Sequence, residues 1–189
     1  MALGQVSVFC GSRPGNDPAF AAAATGLGTL LAERGIGLVY GGASVGLMGC
    51  VADAVLASGG RATGVITESL ADHEIAHAGL TRLDVVGTMH ERKARMAELS
   101  DAVIMAPGGF GTYEEFMEAV TWVHLGIHEK PCGVLNVDGF FDHLLRFLAH
   151  AVRAGFIPPS LVDNLIVADE PGVLLDTLSQ AARGPTRDE

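Results

Sequence analysis

Short apolar runs alternate with helix-patterned segments along almost the whole chain, and several of the runs end in glycine. Runs at 6–10, 36–40, 62–67, 83–87, 102–106, 132–137 and 165–168 have strand length. Segments 17–34, 45–58, 91–100, 116–125, 140–154 and 171–182 have helix length and separate most of them. Strands that are apolar throughout are buried on both faces, and parallel strands need long crossovers between them. The pattern predicts an α/β fold, a Rossmann-like doubly wound parallel sheet flanked by helices. At 189 residues the chain fills one sizeable core and not two. No composition shift or internal repeat divides it, so a single domain is expected over 1–183, with a frayed tail at 184–189.

Three runs stop at small turns: Gly11-Ser12, Gly41-Gly42 and Gly108-Gly109. In a doubly wound sheet the ligand crevice lies at the carboxyl ends of the strands, so loops distant in sequence can line one pocket. Glycine is common after strands, and one such loop means little. Three of them point to a nucleotide-sized pocket. One belongs to the run Pro107-Gly108-Gly109-Phe110-Gly111-Thr112-Tyr113-Glu114-Glu115. Strand, glycine turn and helix start together make an anion site. The glycines let a ligand approach the backbone, and free amides at a helix N-terminus favour negative charge. A carboxylate pair beside such a cradle repels an anion, which suggests chemistry rather than holding alone. The usual nucleotide fingerprints are missing. No glycine precedes either lysine, Lys93 or Lys130, and no Gly-x-Gly-x-x-Gly follows a strand.

Glu115 has two readings. Thr112-x-x-Glu115 has capping-box spacing, with Thr112 at the N-cap, and both glutamates complement the helix dipole. Spacing alone favours the cap. The alternative is a carboxylate beside a sugar phosphate, stabilising an oxocarbenium-like transition state or attacking it. A second group, Thr88-Met89-His90-Glu91-Arg92-Lys93-Ala94-Arg95-Met96, gathers three basic residues where the fourth strand ends. Arg92 could fork onto phosphate or donate to a leaving base. Equally, the segment could be a solvated helix face with Glu91 paired to Arg95. His73-Glu74-Ile75-Ala76-His77 matches a zinc-protease pattern, but no third ligand follows and Leu80 stands where the longer pattern needs glycine. No metal is expected there. His124 and His128 lie four apart with Gly126 between them and read as a helix end.

The net charge of −10 argues against a nucleic-acid partner, which needs a basic footprint. A small anion is still compatible, since amides and a few arginines can make a local positive site. No apolar run approaches membrane-spanning length, and no basic region precedes an apolar one at the start, so neither membrane nor secretory signal is expected. Cys10, Cys50 and Cys132 are odd in number and far apart, and read as reduced, mostly buried thiols of a cytoplasmic protein.

Pro-Gly-Gly-x-Gly-Thr-x-x-Glu at 107–115, with Met-His-x-Arg-Lys at 89–93, resembles the LONELY GUY family of cytokinin riboside 5′-monophosphate phosphoribohydrolases. The likeness continues in Phe9-Cys10-Gly11-Ser12, Tyr40-Gly41-Gly42, Val45-Gly46-Leu47-Met48-Gly49 and Glu74-Ile75-Ala76-His77. Leu125-Gly126-Ile127-His128 and Leu135-Asn136-Val137-Asp138-Gly139 extend it, so it runs from about residue 6 to 140. The resemblance implies hydrolysis of the N-glycosidic bond of an adenosine 5′-monophosphate, typically N6-prenylated, without a cofactor. By that pattern Arg92 and Glu115 are the catalytic pair, and Gly109, Phe110, Gly111 and Thr112 cradle phosphate. Glu74, Lys93 and Thr121 line the substrate site, and Gly11, Ser12, Gly42, Met89, Gly108, Tyr113 and Glu114 are expected to bind substrate with them. The family is typically dimeric, which implies a homodimer. The apolar stripe Met117, Val120 and Val123 fits an interface or a core equally well.

The sequence departs from the family pattern at three places. Ala43 replaces a frequent third glycine, Arg13 follows Gly11-Ser12 where a small residue is common, and His73 replaces a frequent lysine. Two other functions compete. Proteins of this family are often labelled lysine decarboxylases, but pyridoxal phosphate needs a Schiff-base lysine, and neither Lys93 nor Lys130 has that context. A nucleotide or cofactor carrier of the same fold is the other alternative, since fold does not fix function. Pairing Arg92 with Glu115 argues against a mere carrier.

Overall fold

Seven strands pair in parallel: β1 (Gln5–Phe9), β2 (Gly37–Tyr40), β3 (Ala62–Thr67), β4 (Arg82–Val86), β5 (Ala102–Met105), β6 (Cys132–Leu135) and β7 (Ile166–Ala168). The computed structural model describes residues 3–71 and 76–183, so the expected tail at 184–189 lies outside the described residues. Spatial order is β4-β3-β2-β1-β5-β6-β7. The chain winds from β1 out to β4, returns to β5 beside β1, and winds out to β7. The direction of winding therefore reverses between β1 and β5, which is where a crevice opens in such a sheet.

Helices cover both faces. α1 (Pro18–Glu33), α2 (Gly46–Ala57) and α8 (Pro171–Ala181) pack on the face carrying Val6, Val8, Leu38 and Ile104, through Leu27, Leu31, Val51 and Leu178. The opposite face presents Phe9, Val39, Val103 and Met105. It is covered by Met96 of α4 (Met89–Leu99), Phe116 and Val120 of α5 (Phe110–His124), and residues of α6 (Asp142–Arg153). Val120 thus belongs to the core, while Met117 and Val123 are only partly buried. Two buried polar groups are satisfied locally: the Ser7 hydroxyl in β1 donates to Ser100 Oγ at the end of α4 at 3.0 Å, and Ser100 donates to the Met96 carbonyl at 2.9 Å.

Local chemistry explains the helix ends. Asp17 accepts from the Ala19 amide at 2.9 Å, and Pro18 occupies the first turn of α1, where its missing N–H costs nothing. Gly28 is where α1 packs directly against the backbone of α2. A Cβ there would lie 2.8 Å from the Ala54 Cβ. Two short helices, α3 (Glu68–Ala71) and α7 (Pro159–Asp163), are not visible as hydrophobic periodicity, because four or five residues hold barely one turn. The helix expected from 140 starts at Asp142, because residues 137–139 form a 3₁₀ turn. Asn136 fixes that turn by accepting from the Phe141 amide at 2.7 Å and donating to Asp142 at 2.9 Å.

Adding a branched side chain at the α1–α2 contact must push the helices apart. Gly28→Val is expected to lower stability by about 1–3 kcal/mol, seen as a lower urea midpoint at unchanged slope.

Candidate active site

A cleft of about 550 Å³ opens over the carboxyl ends of β1 and β5. Its floor and walls come from the loops after both strands, from Met48 of α2, Leu70 of α3, Met89 and Arg92 of α4, and from Phe140. The two loops are joined directly, the Gly11 amide donating to the Pro107 carbonyl at 2.9 Å. Phe140 reaches the rim because the turn at Asn136 aims it there, edge-on to Phe20 with ring centroids 5.3 Å apart.

α5 starts earlier than expected. Gly109 is its N-cap with extended backbone, and the Tyr113 amide donates to the Gly109 carbonyl at 3.1 Å, closing the first turn. Most of the glycine-rich run is therefore helix rather than loop. Thr112 is not an N-cap: it is buried inside the first turn, against Gly108. The capping box expected at Thr112 and Glu115 does not form. The box that does form is Thr88 with Glu91 at the start of α4. There the Glu91 amide donates to Thr88 Oγ1 at 3.1 Å, and the Thr88 and Gly87 amides donate to the Glu91 carboxylate at 3.0 and 2.9 Å. Glu91 is thereby unavailable for the pairing with Arg95 considered from the sequence. Arg95 binds Asp84 at 2.8 Å and Glu98 at 3.0 Å instead.

Glu115 is held by Arg92. Nη1 of Arg92 donates to Oε1 of Glu115 at 2.9 Å, with the two side chains only 8% and 11% exposed. Nε donates to the Val65 carbonyl at 2.9 Å and Nη2 to the Gly41 carbonyl at 3.4 Å. Three of the five N–H groups of the guanidinium are therefore bound to oxygen, one of them on the carbonyl of Val65 within β3 and one on that of Gly41 just after β2. Arg92 is a buried cation, not a solvated one. The neighbouring Lys93 is 8% exposed at its side chain and donates to Glu114 at 2.5 Å and Glu118 at 3.1 Å. Burial pulls its ammonium down, but the hydrogen bonds it donates to both carboxylates outweigh this and raise its pKa, keeping it charged. The carboxylates beside the helix start are thus each neutralised by a cation from α4.

The first-turn amides of α5 point away from the helix body, as N-terminal amides must. A Cβ at Gly109 or Gly111 would meet nothing within 4 Å, so these glycines are not demanded by packing and leave the helix start open to a ligand. Burial, with the charge of Glu115 as a second cause, pushes the Cys10 thiol far above its usual range. It stays protonated on the cleft floor and is no nucleophile.

Gly11, Ser12, Met89, Arg92, Gly108, Gly109, Phe110, Gly111, Thr112, Glu114 and Glu115 all line the cleft. Four residues singled out with them stand elsewhere. Gly42 turns the chain behind Arg92 and packs against Gly64 and Ile66. Lys93 lies beneath the glutamates, and Tyr113 packs its ring against Phe141 at 6.2 Å. Thr121 donates to the Met117 carbonyl on the exposed side of α5. Glu74 and His73 lie outside the described residues. Phe20, Leu70 and Phe140 line the cleft without having been singled out, because no local spacing connects their loops to it.

Among the described residues no group of three His, Cys, Asp or Glu could hold a metal ion. His77 accepts from the Gly79 amide at Nδ1, so its Nε2 carries the proton and donates to Asp53 at 2.9 Å. Neither lysine lines the cleft: Lys93 is committed to two carboxylates, and Lys130 donates to the Ala97 carbonyl. The residues present do not fit pyridoxal phosphate, which requires an amine in the pocket.

A family model described as possible lysine decarboxylase matches residues 48–178. The cytokinin riboside 5′-monophosphate phosphoribohydrolase of Rhodococcoides fascians is 51% identical over 166 residues, 87% of this chain and 84% of that protein. The chain belongs to the LONELY GUY family. Another LONELY GUY relative, the cytokinin riboside 5′-monophosphate phosphoribohydrolase of Arabidopsis thaliana, is 46% identical, covering 93% of this chain and 83% of its own length. A solved molybdenum cofactor binding protein from Rippkaea orientalis superposes with TM-score 0.71 at 23% identity, covering 95% of this chain and 98% of that one. That likeness shows that the LONELY GUY fold is shared more widely.

α4 is tied to the sheet edge by Asp84, which accepts from Arg82 at 2.5 Å and Arg95 at 2.8 Å. Burial raises its pKa, but the hydrogen bonds from Arg95 and Arg82 outweigh it and hold the carboxyl below its usual range. A depressed carboxylate stabilises the fold above its unfolded pKa, and that contribution disappears as pH falls through the folded value. Asp84→Asn is expected to cost about 1 kcal/mol at pH 7, allowing for solvent at the arginines, with the difference from wild type closing below about pH 4. Urea melts at both pH values measure this.

Proposed function

We propose that this protein hydrolyses the N-glycosidic bond of an adenosine 5′-monophosphate, with N6-prenylated forms as the characteristic substrates. The single observation that carries the reading is the buried Arg92–Glu115 pair, 2.9 Å apart, in the same cleft as the open N-terminus of α5. Relatives that are 46–51% identical over most of the chain bear the phosphoribohydrolase name.

The chemistry follows from the placement. Phosphate at the amides of Phe110, Gly111 and Thr112 anchors the substrate by a group remote from the reacting bond, and that binding energy positions the sugar. The bond between the anomeric carbon and the base nitrogen breaks, leaving positive charge on the ribose. Glu115, the carboxylate one helical turn further along, faces that charge. Water supplies a hydroxyl to the anomeric carbon and a proton to the base, so the products are ribose 5-phosphate and free adenine or its N6-substituted form. Arg92 orients Glu115, and one N–H of Nη2, with a second on Nη1 that meets only the Met89 sulfur at 3.9 Å, is left for the nucleotide. A homodimer in the cytoplasm fits the family, the net charge and the reduced cysteines.

Incubating the metal-stripped protein with AMP, isopentenyladenosine monophosphate, the matching riboside and lysine, with products separated by liquid chromatography, tests the reaction. Free base from the monophosphates and not from the riboside is the expected result. No base from either would leave a nucleotide carrier as the better description. Glu115→Gln keeps a hydrogen bond to Arg92 while removing the charge, and is expected to lower kcat by at least about 100-fold with an unchanged circular dichroism spectrum.

A further inference from the structure

Four charged residues line the cleft: Arg13, Arg92, Glu114 and Glu115. Arg92 neutralises Glu115, and Lys93 beneath the cleft neutralises Glu114. Arg13 makes no ion pair or hydrogen bond with any described residue, and it is exposed. It is therefore the one charge of the lining without a partner among the described residues.

Its place is built rather than incidental. The Leu47 and Met48 amides of α2 donate to the Gly11 carbonyl at 2.9 and 3.3 Å, while Gly11 itself donates to Pro107. On the other side, Gly46 takes φ +60, and a Cβ there would come within 2.5 Å of the Ser12 carbonyl oxygen. The loop after β1 is pinned between α2 and the glycine run, and it delivers Arg13 to the rim of the cradle.

The anion to be bound needs such a group. The chain carries a net charge of −10, and two glutamates stand within the first two turns of α5. A helix terminus offers only about half a positive charge, against roughly two negative charges on a phosphate monoester. We propose that Arg13 is the counter-ion of the substrate phosphate, closing its guanidinium fork over oxygens seated on the α5 amides. Arg13 thereby sets the preference for phosphorylated over unphosphorylated nucleosides. This rests on the phosphoribohydrolase reading and deepens it by naming the residue that selects the 5′-phosphate.

The test compares wild type, Arg13→Ala and Arg13→Lys on AMP and adenosine, with AMP affinity measured separately by calorimetry. A charge-assisted bond to phosphate predicts that Arg13→Ala lowers kcat/KM for AMP by about 10- to 100-fold, mainly through KM, with any adenosine rate unchanged. Arg13→Lys should recover part of the loss, since a point charge replaces the fork. The rise of KM with salt should be shallower in Arg13→Ala than in wild type. Unchanged KM and unchanged AMP affinity in Arg13→Ala overturn the proposal, as does an equal loss on adenosine. If wild type releases no base but binds AMP, the reaction fails while calorimetry still decides the role of Arg13. If wild type neither cleaves nor binds AMP, both ideas fall.

Discussion

A guanidinium sealed from water must have its charge met inside the protein, and much of the active-site architecture follows from how Arg92 meets that demand. Removing one partner from a buried pair typically costs about 3–5 kcal/mol, because the other charge is left stranded. Here the partners come from three directions: the Glu115 carboxylate from α5, the Val65 carbonyl within β3, and the Gly41 carbonyl just after β2. α4 cannot slide along the sheet without breaking one of them. Its start is fixed by the Thr88–Glu91 box and its sheet contact by Asp84. The ion pair thus works as the joint between two helices and the sheet.

The same arrangement resolves the conflict between an anion cradle and the acidic residues beside it. Repulsion from Glu114 and Glu115 would oppose phosphate if they stood alone. α4 presents Arg92 and Lys93 in succession, one to each glutamate. Two adjacent cations facing two adjacent carboxylates cancel most of their long-range field. That explains why a basic dipeptide is buried in a chain with only two lysines.

The fold was legible because the five central strands, buried on both faces, write themselves as continuous apolar runs; the edge strands β4 and β7 are half exposed, yet each run still lies within a residue or two of its strand. What could not be read was which of two identical spacings caps a helix. Thr88 and Glu91 have the same separation as Thr112 and Glu115. The first pair forms the box, whereas the second carboxylate is claimed by an arginine 23 positions earlier in the chain. Only tertiary contact separates them. The same limit applies to Phe20 and Phe140, which meet at the cleft from opposite ends of the sequence. Lys93 and Tyr113 sit one residue from cleft-lining neighbours, yet a helix turns each successive side chain by about 100°, and one step moves them out of the pocket.

α5 supplies both the amides at Phe110–Thr112 and the carboxylate of Glu115. Between Gly111 and Glu115 the helix advances about 6 Å, four residues at 1.5 Å each. That span is set by hydrogen-bond geometry and cannot be stretched by side-chain motion alone. With phosphate on those amides as proposed, the helix is a ruler laid along the substrate, measuring from the phosphate to the sugar carbon where charge develops. A molecule whose anionic group lies one bond nearer or farther from its reacting centre is out of scale, whatever its base.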